Sequence, residues 1–270
     1  MIEMEVRAAR ECQTEYLIGY HDKYCDNNKV LGVIPARWKS SRFPGKPLEL
    51  IGDKPMIWHV YKQCVIADCF HHVLIATDDS RIMDVCSNLH IPYRMTKDTH
   101  RDCLDRVAEV SASMPEYNIV VCIQGDEPFI DPYAIQKVLL AVLDGGDDAA
   151  CGCAEITNPL EVVATNVPKV VVDESGYAMY LSRQPVPYPK GYMNFPYLSQ
   201  VCVYAFRPEI LQWFVNTKRG LVEEAESIGL IRFIEHGIPV KMVKVPASPV
   251  SVDTPADLKR AREYYASKNT

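Results

Sequence analysis

Residues 33–46 read VIPARWKSSRFPGK. The first of these end a buried apolar strand, Pro35 breaks it, and Arg37, Lys39, Arg42 and Lys46 then crowd onto one short loop with Ser40, Ser41 and Gly45. Four cations so close together ask for a polyanion. In an α/β sheet, a basic loop containing Ser and Gly at the carboxyl end of a strand is where phosphate binds, because backbone N–H groups and flexible cations converge there. The competing reading is a solvated basic turn. Two later segments, both ending on acids, weigh against it.

Outward from this loop the pattern alternates strand and helix. VLGVIPA reads as a buried strand, PMIWHVYKQCVIA as a helix and HHVLIATDD as a second strand ending on acids. SRIMDVCSNL follows as a helix with Ser80 as its N-cap, then IPYRMT as a short strand and CLDRVAEVSASM as a helix. Such alternation predicts a parallel sheet with right-handed crossovers. The next strand, NIVVCIQGDEPFI, holds the second segment. Ile119–Ile123 look like a fully buried central strand, and Gln124, Gly125, Asp126 and Glu127 sit at its carboxyl end. Carboxylates there are costly unless a cation offsets them, which makes Asp126 the first candidate ligand of a divalent metal. A capped turn before a helix opening near Asp131 and Pro132 is the plainer alternative.

Beyond Gly145 and Gly146 the chain becomes β-rich. AACGCAEIT, PKVVVD and YAMYLSR predict strands, the last two forming a hairpin at the far edge of the sheet. QPVPYPKGYMNFP holds too many prolines for a helix or central strand and predicts a loop over the site. YLSQVCVYAF is a further strand, PEILQWFVN and LVEEAESIGLIRFIEHG are helices, and KMVKVP is a short strand. In the third segment, SVDTPADL, Thr254 caps a final helix with Pro255 first in it and Asp257 three residues on. Asp253 has no such local explanation and is the second candidate metal ligand.

Among 270 residues, 48% are hydrophobic, enough for a large core, and the net charge of −6 supplies no global field for nucleic acid or an anionic membrane. No apolar run has the length of a membrane span and no signal-peptide order opens the chain, so a cytoplasmic protein is expected. The ten cysteines lack zinc spacing and many lie in apolar runs, which predicts reduced, packed thiols. His59, His71, His72, His90, Trp58, Trp213 and Phe214 read as packing or surface residues. Residues 1–28, with a weak helical pattern in Val6, Ala9 and Cys12, form an extension of unassigned role ahead of a single domain at 29–270.

VIPARWKSSRFPGKPL, GDKPMIWHV, ATDD, MTKDTH, VVCIQGDEPFI, PKVVVDESGYAMYLSRQPVP and SVDTPADL, taken in order from about Val30 to Tyr265, resemble the cytidylyltransferases that make CMP-activated acidic sugars, above all the 3-deoxy-manno-octulosonate (Kdo) cytidylyltransferases of lipopolysaccharide biosynthesis. The resemblance implies a three-layer α/β/α nucleotide-diphospho-sugar transferase fold with a mixed, mainly parallel sheet, dimeric through a β-rich edge. It implies attack by an anomeric hydroxyl on the α-phosphate of CTP with Mg²⁺, releasing pyrophosphate. Carried over by residue, Arg37 and Lys46 match the triphosphate cations, with Ser41 and Arg42 beside them. Asp126 and Asp253 match the metal pair, Pro35, Ala36, Asp78 and Arg106 the nucleotide cradle, and Gln124 a residue at the sugar acid. An ordinary strand-end turn remains open for Asp78.

The acceptor half departs from the family pattern. Where Kdo enzymes carry His-Gln-Ser-Gly-Thr-Glu-Arg, this chain has His100, Arg101, Asp102, Cys103, Leu104, Asp105 and Arg106. Lys190 stands for an expected Arg, Gln200 for a His, and Gly229 and Leu230 for a Glu-Gln pair. Lys190 and Gln200 are accordingly expected at the acceptor. Three functions follow: CMP transfer to Kdo or a Kdo-like acid, transfer to another acceptor such as an amino-substituted octulosonate, other sugar acid or phosphonate, or a nucleotide-binding domain without turnover. Retention of Arg37, Lys46, Asp126 and Asp253 together argues against the last.

Overall fold

The computed structural model describes residues 28–40, 42–192 and 194–269. The helical pattern around Val6, Ala9 and Cys12, and Ser41 of the basic loop, lie outside the described residues. Strand β1 (Val30–Ala36) leads through the basic loop and a 3₁₀ turn (Lys46–Leu48) to a two-strand hairpin, β2 (Leu50–Ile51) and β3 (Lys54–Pro55), and helix α1 (Met56–Ala67). Then come β4 (His72–Thr77), α2 (Ser80–Asn88), β5 (Tyr93–Met95), α3 (Cys103–Ala112), β6 (Ile119–Ile123) and α4 (Pro132–Leu143). The second half contributes β7 (Ala149–Glu155), α5 (Pro159–Val163), β8 (Lys169–Val172), β9 (Ala178–Ser182), β10 (Leu198–Phe206) and α6 (Pro208–Asn216). It ends with α7 (Leu221–Glu226), α8 (Ile231–Glu235), β11 (Lys241–Lys244) and α9 (Pro255–Lys268).

The main sheet runs β11-β7-β10-β6-β1-β4-β5. β1 pairs parallel with both β4 and β6, β4 with β5 and β11 with β7, whereas β10 is antiparallel to β6 and β7. This is the mixed, mainly parallel sheet expected. Its central strands are apolar throughout because both faces are covered, and the pleat divides them. Val30 and Ile34 of β1 and Ile119, Val121 and Ile123 of β6 pack toward α1, α2 and α4. Leu31, Val33, Val120 and Cys122 pack toward α3, α6 and α8. A third cluster, Ile51, Met56, Val252, Leu258 and Ala261, docks α9 on the small hairpin and so carries the segment ahead of α9 back to the basic loop.

Four expectations are corrected. The β8–β9 hairpin branches from the start of β10, pairing at Leu198 and Ser199, while AACGCAEIT becomes the interior strand β7 and the edges are β11 and β5. The helix expected over LVEEAESIGLIRFIEHG is two helices: Ser227 adopts φ 53° and breaks it, and Arg183 takes the carbonyls of Glu226 and Ser227. Asp79, not Ser80, caps α2, because Asp79 is the extended residue and its carboxylate accepts from Arg81 N at 3.0 Å. The Pro-rich segment does not cover the site, since none of the described residues of 184–197 lines the large cavity. The capping box behaves as read: Thr254 and Asp257 satisfy each other's backbone at the start of α9.

Candidate active site

Two adjacent parallel strands set the floor of that cavity. β1 ends at Pro35 and Ala36, β6 is followed by Gln124 and Gly125, and Val33 is in register with Cys122. Gly125 permits a close approach: a Cβ there would stand 2.7 Å from the Pro35 carbonyl oxygen. The turn bearing Asp126 is thereby pressed against the end of β1. Asp126 in turn recruits the distant segment, its carbonyl accepting from Val252 N at 2.9 Å. Asp253 is held one residue further on, its N–H donating to Asp257 Oδ2 at 3.1 Å.

Lys46 meets both acids. Gly45 takes φ 76° beneath the Trp38 indole and donates to the Trp38 carbonyl at 2.9 Å, which reverses the chain just before Lys46. The Lys46 ammonium lies 2.6 Å from Asp126 Oδ2 and 3.2 Å from Asp253 Oδ1, and donates to the Val252 carbonyl at 3.0 Å. Arg42 Nη2 adds a contact of 2.8 Å to Asp253 Oδ1. Burial alone would lower the Lys46 pKa, but the charges and hydrogen bonds of Asp126 and Asp253 outweigh it and raise it above its ordinary value. Glu127, behind them, is pushed up to about 7 by burial and then by the Asp126 charge, with Ser248 and Ser251 opposing and Asp253 adding. Its Oε2 and the Ser248 hydroxyl are buried without a hydrogen-bond partner.

Two carboxylates that converge on one ammonium, with Arg42 at the edge of the second, fit a hard divalent ion. Mg²⁺ is held by one or two carboxylates and takes its other ligands from water and substrate phosphates, and the ammonium shows that a positive charge is already required there. Among the described residues no group of three or more potential metal ligands occurs, so a dedicated protein cage is not the arrangement offered.

The cavity, of about 520 Å³, runs from this charged end to a neutral one. There Gln124 Nε2 donates to the Tyr204 hydroxyl at 3.0 Å, and Gln200 Nε2 to the same hydroxyl at 3.4 Å. Residues four apart in a regular strand are separated by about 13 Å. β10 brings Gln200 and Tyr204 together because its register with β7 shifts between Val201 and Tyr204. Thiols line the same floor. A hydrogen bond with Cys122 and burial raise Cys103 well above its ordinary pKa, and burial raises Cys151, Cys202 and the Tyr204 phenol, so these groups stay protonated. Asp102, N-cap of α3, lines one wall and adjoins Gly229, where a Cβ would stand 3.1 Å from its carboxylate.

The candidates therefore sort as follows. Pro35, Ala36, Arg37, Arg42, Lys46, Arg106, Gln124, Asp126, Gln200 and Asp253 line one cavity. Asp78 stands behind it, paired with Arg106 at 3.1 Å. Lys190 is exposed on the Pro-rich loop and does not line the cavity of its own chain. Sequence reasoning named neither Arg183, which lines the neutral end, nor Tyr204, and it named Asp102 only as a departure from the family pattern. A lone Arg closing a strand and a Tyr inside an apolar run carry no signal that separates them from packing residues.

A mainly parallel α/β sheet with cationic and acidic groups gathered at its carboxyl edge is the arrangement of a nucleotidyltransferase, and the relatives of this chain are of that class. A family profile described as "Cytidylyltransferase" matches residues 31–243, and the chain belongs to that family. The 3-deoxy-manno-octulosonate cytidylyltransferase of Solibacter usitatus is 38% identical over 240 residues, covering 88% of this chain and 94% of the relative. Its namesake from Escherichia coli is 35% identical, covering 89% and 98%. A solved structure of CMP:2-keto-3-deoxy-manno-octonic acid synthetase complexed with CTP matches with a TM-score of 0.84 at 36% identity, covering 89% of this chain and 100% of that one. A 4-diphosphocytidyl-2C-methyl-D-erythritol synthase from Anaerococcus prevotii, 15% identical with a TM-score of 0.58, shares the fold.

Proposed function

We propose that the protein transfers CMP from CTP to 3-deoxy-manno-octulosonate or a closely similar 2-keto sugar acid, releasing pyrophosphate. The observation that carries this reading is the single ammonium of Lys46 bound by both Asp126 and Asp253 at the foot of the basic loop; likeness to Kdo cytidylyltransferases names the substrates. In the reaction the anomeric hydroxyl of the acceptor gives its proton to solvent water as its oxygen forms a bond to the α-phosphorus of CTP, the bond from that phosphorus to the β-phosphate bridge oxygen breaks, and pyrophosphate leaves with the electron pair. Bound Mg²⁺ supplies charge neutralisation along the triphosphate.

The chain's own residues position the reactants. Arg37, Arg42 and Lys46 bind the triphosphate, and Asp126 and Asp253 hold the metal. Pro35, Ala36 and the Asp78–Arg106 pair shape the nucleotide cradle, with Ser41 beside the phosphates. Gln124 and Gln200 orient the acceptor through Tyr204. Transfer of a phosphoryl group asks for placement and charge more than for covalent help, which is what this arrangement offers. The activity is assigned to residues 29–270, with 1–28 as an extension outside it.

A second acceptor class is favoured by one feature. Asp102, beside Gly229 and only loosely paired with Arg219 at 3.9 Å, places a carboxylate in the cavity wall, which suits an acceptor carrying an amino group. Pyrophosphate release with CTP, Mg²⁺ and a panel of acids tests both readings: turnover of Kdo supports the first, turnover of the amino-substituted acid alone supports the second, and silence across the panel sinks both. We also infer a cytoplasmic homodimer. Eight thiols are free among the described residues, in keeping with a reducing compartment, and no helix of those residues is long and apolar enough to cross a membrane. Met179, Tyr188 and Tyr192 are exposed on and beside the β8–β9 hairpin, where light scattering of wild-type protein and an M179D variant would read the association.

A further inference from the structure

Trp38 sits in the middle of the basic stretch, and its carbonyl accepts from Ser40 N and from Gly45 N, both at 2.9 Å. Those two bonds close the loop on itself, with Arg42 between the donors and Lys46 directly after the second. The indole adds a second restraint. A Cβ at Gly45 would stand 2.9 to 3.3 Å from three atoms of its six-membered ring, so the Gly45 backbone lies against one face. The Arg81 guanidinium carbon is 3.5 Å from the ring centroid. Two groups at such range cannot share a face, so the half-buried indole is sandwiched between them.

Arg81 is itself held. Its Nε donates to Asp79 Oδ1 at 2.8 Å and its Nη2 to Asp79 Oδ2 at 2.7 Å, a two-point grip that fixes the plane of the guanidinium. Asp79 is fixed in turn as the cap of α2, accepting from Arg81 N at 3.0 Å, while its own N–H donates to Thr77 Oγ1 at 3.3 Å. Thr77 ends β4, the parallel neighbour of β1. The stack therefore ties the loop that leaves β1 to the turn that leaves β4, one residue beyond Asp78. An indole beside a nucleotide site is usually a surface on which a base stacks. Here both faces are taken, so Trp38 acts on the loop and not on the base.

We propose that Trp38, clamped between Gly45 and Arg81, is a positioning residue for triphosphate binding that holds Arg42 and Lys46 at the spacing a phosphate chain needs. This rests on the reading that the basic loop grips the triphosphate of CTP. Like charges on an unpinned loop spread apart, and the acids opposite restrain only Lys46 and Arg42, leaving Arg37 and Lys39 exposed. The two carbonyl bonds and the stack fix the path of the chain through all four cations. Binding a phosphate chain then does not have to order the loop.

The test is calorimetric titration of wild type, W38A, W38F and R81Q with CTP and with CMP, both with Mg²⁺, melting temperatures being measured alongside. No acceptor is needed. Because the clamp acts on cations that meet the phosphate chain, its loss should weaken CTP binding about 10-fold in W38A and about threefold in R81Q, with CMP within about twofold in each. W38F keeps an aromatic face for Gly45 and Arg81 and should recover most of the CTP affinity. A general loosening of the fold would weaken both ligands alike and leave their ratio unaltered. An unaltered ratio of CTP to CMP affinity in folded W38A overturns the assignment, and should W38A unfold, the ratio in R81Q decides it. Wild type that binds CTP no more tightly than CMP sinks the triphosphate reading and the clamp together, whereas a wild-type preference that the variants retain sinks the clamp alone.

Discussion

The two ends of the cavity are built by different means. At the end proposed for the triphosphate charge answers charge: Lys46 is held between Asp126 and Asp253, and Arg42 reaches the second acid. At the other end the floor is neutral and borrowed from the sheet interior, with two amides meeting one phenol among protonated thiols, and the charges, Asp102 and Arg183, stand in the walls. The contrast teaches where this molecule holds its rate and where it holds its choice of substrate. Charges packed this closely tolerate no change in number, whereas amides, hydroxyls and small residues can be exchanged with modest cost.

The largest expected effect comes from unbalancing the charged end. D126N or D253N should lower kcat by about 10³-fold or more, since each removes a full charge from where the ion and triphosphate meet; stopped-assay pyrophosphate release checks it, and a melting temperature near that of wild type separates chemistry from folding. A loss under tenfold would erase the contrast between the two ends.

At the neutral end the effects should be smaller and fall on one substrate. Y204F leaves the Gln124 and Gln200 amides without their shared hydroxyl and should raise acceptor KM about tenfold, leaving the KM for CTP unchanged. Initial rates at varied acceptor and fixed CTP measure it. Smaller still, G229E places a side chain against the Asp102 carboxylate and should cost about 1–2 kcal/mol of stability by crowding and like charge. Combining it with D102S, which keeps a helix cap, should restore most of that; additive losses in denaturant midpoints would mean that the two walls do not touch.

The least expected effect is on pH. The Glu127 carboxyl in the folded protein titrates near 7, above its ordinary 4.5. The folded state therefore binds more protons than the unfolded one between those values, and stability from this group declines as pH rises through that window. E127Q should flatten this slope in urea midpoints taken between pH 4.5 and 7, and an unchanged slope would show that Glu127 is not the group responsible.

Much of the charged end was legible in the chain itself. Ile119–Ile123 read as a central strand because they are buried on both faces, and the basic loop stood out by the density of its cations. Asp253 was legible by subtraction, since the capping box accounts for Thr254 and Asp257 and leaves it over. Less of the neutral end could be read. The break at Ser227 is invisible because apolar residues continue on both sides of it and the cause, Arg183, comes from 44 residues earlier. Lys190 was assigned because it stands where the resembling family carries an Arg, yet it does not line the cavity. Choosing between Asp79 and Ser80 as a cap failed for a simpler reason: both are capping residues and only the backbone decides.

The central claim is that Asp126 and Asp253 jointly hold one divalent ion beside the Lys46 grip. Anomalous diffraction from crystals grown with CTP and Mn²⁺ measures this directly. A single manganese peak within coordination distance, about 2.2 Å, of a carboxylate oxygen from each aspartate is predicted. Manganese bound to the phosphates alone, with both aspartates still closed on Lys46, would contradict it.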